Sequence, residues 1–307
     1  MRKRLYSALP LNKLVLKSYA KLNLYLAVLG KRKDNYHKLN TLFERIGLSD
    51  TIVLKPRRDD LIKITCENKD VPTDESNLCY QAAKLFRQKC GIRKGVDIKI
   101  EKNIPVGAGL GGGSGNAATV LMGLKGIWKA RLSRKALCSL AEKLGSDVSF
   151  FLYDVPFAQG TGRGEKIRPL AGLKSLKLWH ILIVPKLHIP TSFIYKKWDE
   201  LAQKNKKAAL TRKPCNVKII TSILRQNNFA DLNNRLFNDL ERVTLPLYAQ
   251  VKRVREALKR SGIGAVLMSG SGPAVFGIVT SKKEAVALKR KLSACNSSWS
   301  IFVTRTR

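Results

Sequence analysis

The stretch Ile104-Pro-Val-Gly-Ala-Gly-Leu-Gly-Gly-Gly-Ser-Gly-Asn-Ala-Ala118 places six glycines between a predicted strand and a predicted helix. Before it, Val96-Asp-Ile-Lys-Ile100 alternates apolar and polar residues as a half-buried strand does. After it, Asn116 to Lys129 carries helix-forming Ala, Leu and Met. Connections between such elements ordinarily need about 2 to 6 residues and rarely this much glycine, so a merely flexible turn is the weaker reading. Backbone without Cβ atoms can close on a phosphate, and the free N–H groups at the start of the following helix then face its negative charge. Gly107, Gly109 and Gly112 fit G-x-G-x-x-G, but a second helical stretch, Ser133 to Leu144, follows instead of the acid-ended strand of a dinucleotide-binding unit. No Gly-Lys-Ser/Thr closes the loop in the Walker manner either. The stretch reads as a phosphate cradle of another kind.

Outward from the cradle the pattern is mixed α and β. Leu14 to Val28 predicts a strand in which Leu22, Leu24, Leu26 and Val28 alternate with Lys21, Asn23, Tyr25 and Ala27, so that Lys21 and Asn23 share a face. Gly30 to His37 predicts a turn, Leu39 to Leu54 a second strand, and Asn77 to Cys90 a helix stopped by Gly91. Ser146-Asp147 opens a short apolar stretch, Val148 to Tyr153. Near residue 175 the pattern resets: Leu178 to Val184 predicts a strand, Thr191 to Ala202 a helix, and Gln203 to Lys218 a lysine-rich surface connection. Thr244 to Lys259 predicts one long amphipathic helix. Two short strands, Ala265 to Met268 and Ala274 to Val279, flank the loop Ser269-Gly-Ser-Gly-Pro273, and a helix from Lys282 to Leu292 and a strand from Trp299 to Thr304 follow. The expected organisation is two domains, 1–175 with the cradle and 176–307 as an αβ layered second half.

Composition narrows the partners without choosing one. Fifty-eight Lys and Arg against 22 Asp and Glu give a net charge of +36, which suits anionic ligands and speeds encounter with them at low salt. The basic residues are spread along the chain, which favours a solvated basic surface over specific nucleic-acid binding. Six cysteines show no C-x-x-C spacing and no nearby histidine pair, so neither a zinc site nor a disulfide framework is indicated. No apolar run approaches a membrane span, and a cytoplasmic enzyme is expected.

A set of motifs carries a resemblance: Ala20-Lys-Leu-Asn-Leu24, Asp34-Asn-Tyr-His37, Thr41-Leu-Phe43, Pro105 to Ala118, Gly145-Ser-Asp-Val148, Phe157 to Glu165, Asn238-Asp-Leu-Glu241 and Met268-Ser-Gly-Ser-Gly272. With these in order along nearly the whole chain, it resembles the family named for galactokinase, homoserine kinase, mevalonate kinase and phosphomevalonate kinase (GHMP). The resemblance implies an α+β, two-domain fold with a ribosomal protein S5 domain 2-like N-terminal half and a ferredoxin-like C-terminal half. The Tyr36-His37 turn together with the triple glycine 111 to 113 points to the branch that phosphorylates the 2-hydroxyl of a cytidine diphosphate ester of a methyl tetritol in non-mevalonate isoprenoid precursor synthesis. Two positions depart from the pattern. Asn35 stands for a usual glycine, which Asn tolerates because it visits positive φ more readily than most residues. Gly115 stands for a usual serine, which removes a hydroxyl from the loop and keeps its N–H.

Carried over residue by residue, the resemblance implies that Asp147 is the base toward the acceptor hydroxyl and that Lys21 positions or polarises that region. ATP and Mg²⁺ are the implied cofactors. The ATP phosphates would lie on Pro105, Val106, Gly107, Ala108, Gly109, Leu110, Gly111, Gly112, Gly113 and Ser114, and no protein metal ligand is assigned. Phosphoryl transfer needs mainly alignment and charge stabilisation, so one base, one cation, Mg²⁺ and a ring of N–H donors suffice. On the acceptor side Asn23 would reach the tetritol. Tyr36 and Tyr195 would stack on cytosine, and His37 would bond its edge through backbone or ring. Thr191, Gly270, Ser271 and Gly272 would complete the binding surface. Read without the resemblance, Asp147 is first a helix N-terminal residue, Lys21 a solvated strand lysine, and each tyrosine a packing residue. Two alternatives stand beside this one: another GHMP-type kinase or decarboxylase of the mevalonate or homoserine class, and a basic nucleic-acid-binding protein. The first is opposed by Tyr36-His37, the second by the lack of an aromatic RNA-binding motif.

Overall fold

The computed structural model describes residues 13–204, 216–226, 228–233 and 235–307. In chain order the elements are β1 (Leu14–Lys31), β2 (His37–Pro56), β3 (Ile62–Cys66), α1 (Leu78–Cys90), β4 (Val96–Glu101), α2 (Gly112–Ile127), α3 (Arg134–Leu144), α4 (Val148–Phe151), β5 (Phe157–Gly162) and β6 (Lys166–Pro169). They continue with β7 (Trp179–Pro185), α5 (Thr191–Lys204), α6 (Val217–Arg225), β8 (Phe237–Asn238), α7 (Glu241–Leu247), α8 (Ala249–Arg260), β9 (Val266–Met268), β10 (Val275–Val279), α9 (Lys282–Cys295) and β11 (Trp299–Arg305). Two compact units result, each assembled from separate parts of the chain. The first holds 13–18, 49–106 and 112–152, and the second 19–48, 107–111 and 153–307, so β1 and β2 run through both.

In the first unit β3 lies parallel to β4, and β4 lies antiparallel to the second half of β2, with Val53 opposite Lys99. Helices α1, α2 and α3 pack on one another. The ends of α1 follow from its sequence: the Asn77 side chain accepts from the Cys79 N–H, and Gly91 stops the helix at φ 64°. Helix α2 starts at Gly112, four residues before the expected Asn116. Each helical glycine costs about 1 kcal/mol relative to alanine, and burial of Ala117, Ala118, Val120, Leu121 and Leu124 offsets that cost.

In the second unit β1 pairs parallel with β8, β5 pairs antiparallel with β2 and β6, and a separate antiparallel sheet runs in the order β11-β7-β10-β9. Ile181, Ile183 and Val275 from that sheet, Val254 and Leu258 from α8, and Leu292 from α9 share one apolar core. Two expectations are corrected here. The polar connection expected over 203–218 is shorter: α5 runs to Lys204, and α6 begins at Val217, capped by the Asn216 side chain accepting from Ile219 N–H; residues 205–215 lie outside the described residues. The long helix expected over 244–259 is two helices, broken at Tyr248 with φ −125° and ψ 89°. Pro246, inside α7, lacks the N–H that would bond four residues back, and that helix ends one residue later. Among the described residues Cys66, Cys79, Cys90 and Cys295 are free thiols. No described helix is long and apolar enough to cross a membrane.

Candidate active site

The alternation along β1 does put Lys21 and Asn23 on one face, but that face is interior. Every residue from Ala20 to Val28 is buried, and Lys21 and Asn23 retain only 3 % and 1 % exposure. A buried ammonium needs partners. Lys21 Nζ donates to Asn23 Oδ1 at 2.7 Å, Asn23 Nδ2 donates to Thr41 Oγ1 at 2.8 Å, and the Thr41 hydroxyl donates to the Tyr25 carbonyl at 2.6 Å. The relay fixes the amide of Asn23 in one orientation and leaves the lysine head little freedom. The ammonium also lies 5.7 Å from the Phe43 ring centre.

The glycine loop is tied to the same strand, since Lys21 N–H donates to the Leu110 carbonyl at 2.9 Å. Gly107, Gly109 and Gly111 take φ values of 68°, 76° and 68°, a left-handed alternation that L residues resist. At Gly109 space decides as well, because a Cβ there would stand 2.2 Å from the Ser269 carbonyl oxygen. That close approach locks the loop against Ser269–Gly272: Ser269 Oγ donates to the Gly109 carbonyl at 3.1 Å, and Ala274 N–H donates to Ala108 O at 3.3 Å. Asn238 braces the second loop from below, its amide donating to Met268 O at 2.9 Å and Gly270 O at 2.8 Å. Thr191 and Ser271 join their hydroxyls at 2.9 Å, and a Cβ on Gly270 would be 3.5 Å from Lys21 Nζ. Lys21, Asn23, Thr191, Gly107 to Gly111 and Gly270 to Gly272 thus form one contiguous polar region in the second unit. Glu241 supports it by accepting from Met268 N–H at 2.9 Å; burial pushes this carboxyl up, and Arg255 opposes the shift without cancelling it.

In the first unit the chain enters the loop through an anchor the sequence did not advertise. Asp50, fully buried, accepts from the N–H groups of Asn103 and Ile104 at 2.7 and 2.8 Å and from Lys102 Nζ at 2.7 Å. Burial lowers the affinity of Lys102 for its proton, and the Asp50 charge offsets this in part. Pro105 and Val106 follow, and then α2 opens on Gly112, Gly113 and Ser114. The residue before the helix, Gly111, has no side chain to cap it, and no acidic residue lies in the first turn. Its N–H groups and the positive end of its dipole are therefore available to an anion, which fits the phosphates of ATP. Asp147 stands just before α4, which packs on α2. Its side chain makes no capping bond to α4, so the common structural use of an aspartate at that position does not apply.

The turn after β1 is built by charge and a left-handed residue. Asn35 has φ 63°, a left-handed conformation that Asn adopts more readily than most residues, and Asp34 accepts from Tyr36 N–H and from Arg32. Tyr36 is half exposed, with the Arg163 guanidinium 4.6 Å from its ring centre. His37 is held differently. Its Nε2 lies 2.6 Å from Asp199 Oδ1, the Tyr195 ring stacks on it at 4.7 Å, and the Trp198 ring meets it edge-on at 5.8 Å. Sequence reasoning named Tyr36, His37 and Tyr195 but missed Asp199 and Trp198. Their signal was the i, i+3, i+4 spacing of Tyr195, Trp198 and Asp199 on one face of α5.

A glycine cradle opening a helix, on an α+β framework of this kind, defines an ATP-dependent small-molecule kinase. Residues 77–155 match the GHMP kinases N terminal domain and residues 220–297 the GHMP kinases C terminal domain. The chain belongs to the GHMP kinase family. It is 43 % identical over 269 residues, 87 % of this chain and 88 % of the relative, to a 4-diphosphocytidyl-2-C-methyl-D-erythritol kinase of Geobacillus sp. strain WCH70. A protein of the same name from Bacillus cereus strain B4264 is 42 % identical over 267 residues, 87 % of this chain and 88 % of its own. Among solved structures, a 4-(cytidine 5'-diphospho)-2C-methyl-D-erythritol kinase superposes with TM-score 0.77 at 32 % identity, covering 96 % of this chain and all of the other. The homoserine kinase of Cytophaga hutchinsonii, at 18 % identity and TM-score 0.72 over 99 % and 97 % of the two chains, shares the fold.

Proposed function

We propose that this protein transfers the γ-phosphoryl group of ATP to the 2-hydroxyl of 4-diphosphocytidyl-2-C-methyl-D-erythritol, in the cytoplasm, as a step of non-mevalonate isoprenoid precursor synthesis. The observation that carries the reading is the buried Lys21 ammonium, joined through Asn23 and Thr41 and bonded by its own N–H to the glycine loop. A lysine kept only for a strand would leave its head in water. The shared names of relatives above 40 % identity supply the substrate.

In this reading Pro105 to Ser114 cradle the ATP phosphates, with the backbone N–H groups after Pro105 as donors, and bound Mg²⁺ would supply charge neutralisation on those phosphates. A cation held chiefly by phosphates and water needs few protein ligands. Asp147 takes the proton of the acceptor hydroxyl. Lys21 orients that region and offsets negative charge, while Asn23 and the Thr191 and Ser271 hydroxyls hold the tetritol diphosphate with Gly270 and Gly272. The base lies at the Tyr36-His37 turn with Tyr195. Phosphorus NMR of the products tests the assignment: a new phosphomonoester on the tetritol is expected, and its absence with ATP and Mg²⁺ present refutes it.

A further inference from the structure

We infer that Asp199 sets which nitrogen of His37 carries the proton, and through it the choice of base in the nucleotide substrate. The inference rests on the substrate proposed above. Three residues at helical spacing on α5 grip one imidazole: Tyr195 stacks on its face with 26° between the planes, Trp198 meets its edge, and Asp199 reaches Nε2 at 2.6 Å. The His37 side chain is 9 % exposed and that of Asp199 18 %, so the contact is shielded from water. The other carboxylate oxygen is held by Lys31 Nζ at 3.1 Å. Burial alone would raise the Asp199 carboxyl, but the hydrogen bonds from His37 and Lys31 outweigh it and hold the group below the ordinary aspartate range.

An ionised carboxylate only accepts hydrogen bonds. Nε2 is therefore a protonated nitrogen, and the tautomer this selects leaves the lone pair on Nδ1. An acceptor suits the exocyclic amine of cytosine, whereas uracil offers a carbonyl at the same place and would leave both groups unpaired. Asp199 acts through His37 and is a positioning residue. An amide in its place lifts the constraint, because a carboxamide can accept from Nε2–H or donate to bare Nε2. The ring is then free to present an Nδ1–H donor, which suits uracil.

The test compares cytidine and uridine diphosphate esters of the tetritol with wild type, Asp199→Asn and Asp199→Glu. The cytidine-to-uridine ratio of kcat/KM should fall by roughly tenfold or more in Asp199→Asn, through KM for the ester, with KM for ATP unmoved. Asp199→Glu, which keeps a pure acceptor, should retain most of the ratio. Nitrogen-15 NMR of the imidazoles gives a second reading that folding alone does not move, and with three histidines in the chain the His37 signal is assigned by its own variant. Wild type should show the Nε2–H tautomer, and Asp199→Asn a shift toward Nδ1–H. An unchanged ratio in a folded Asp199→Asn protein, or an Nδ1–H tautomer in wild type, overturns the inference. Should Asp199→Asn fail to fold, the wild-type tautomer and the Asp199→Glu ratio decide. A wild type that phosphorylates neither ester refutes the substrate reading instead, and the tautomer measurement still judges Asp199.

Discussion

Replacing Gly109 by alanine should break the junction of the glycine loop with Ser269, and its cost can be worked from the structure. The new Cβ would stand 2.2 Å from the Ser269 carbonyl oxygen and 3.1 Å from the Gly272 carbonyl oxygen, both backbone atoms. An ordinary contact is about 3.5 Å, so one loop must retreat by about 1 Å. Holding alanine at φ 76° adds about 1–2 kcal/mol. The retreat loosens the Ser269 Oγ bond to Gly109 O and the Lys21 N–H bond to Leu110 O, each worth about 0.5–1.5 kcal/mol net. The sum is about 2–5 kcal/mol of stability. A shift of about 1 Å in groups that align phosphates also costs on the order of 10²-fold in kcat/KM. Gly91→Ala is the control, since that residue shares the left-handed φ of 64° but has open space where its Cβ would go. Urea denaturation and ATP kinetics on both variants separate strain from collision. Gly91→Ala should lose only the conformational part and keep wild-type KM for ATP. Equal losses in the two variants, or a Gly109→Ala enzyme with wild-type kinetics, would refute the reasoning.

Asp147→Asn should keep ATP and ester binding near wild type while turnover falls by about 10²-fold or more; retained turnover removes Asp147 from the role of base. Asp50→Ala strands a buried Lys102 ammonium and should cost about 3–5 kcal/mol in urea denaturation, with Asp50→Ala/Lys102→Met costing less than Asp50→Ala alone. Glu241 has its carboxyl raised by burial, so folding loses stability as pH climbs from the unfolded glutamate value toward the raised one. Glu241→Gln keeps an acceptor for Met268 N–H and should gain on wild type over that rise, and parallel stability curves would show that the charge is not penalised. With a net charge of +36 and anionic substrates, kcat/KM should fall between roughly 20 and 300 mM salt while kcat holds; equal values of kcat/KM would exclude steering.

The glycine loop, the Gly91 stop of α1, the left-handed Asn35 and the shared face of Lys21 and Asn23 are legible because each is local: a spacing, a stop residue, an alternation. What lay beyond reach was set by distant partners. Alternation suggested that one face of β1 meets water, yet the structure covers both, which turns Lys21 from a solvated residue into a buried one. His37 and Asp199 stand 162 positions apart, and Asp50 meets Lys102 across 52, so neither pair has a sequence signature. Strands β3, β5 and β6 are short, and the glycines of Phe157-Ala-Gln-Gly-Thr-Gly162 weaken β5's signal although its pairing with β2 is regular. Helix α6 carries a local signal too. Its cap Asn216 and the buried stripe Val217, Ile220, Thr221, Leu224 have helical spacing, and they lie at the end of a lysine-rich run whose composition masks them.

The measurement that bears most directly on the account is kcat/KM for phosphoryl transfer from ATP to the cytidine diphosphate ester, to mevalonate and to homoserine, taken side by side on the purified chain. The fold is common to kinases of all three acceptors, and the Tyr36-His37 turn with its grip from α5 is the part proposed to recognise the base. The ester should be preferred by on the order of 10²-fold or more, as expected when a site built around polar groups meets acceptors that cannot pair with them. Comparable rates with mevalonate or homoserine, or no transfer to the ester at all, would contradict the account.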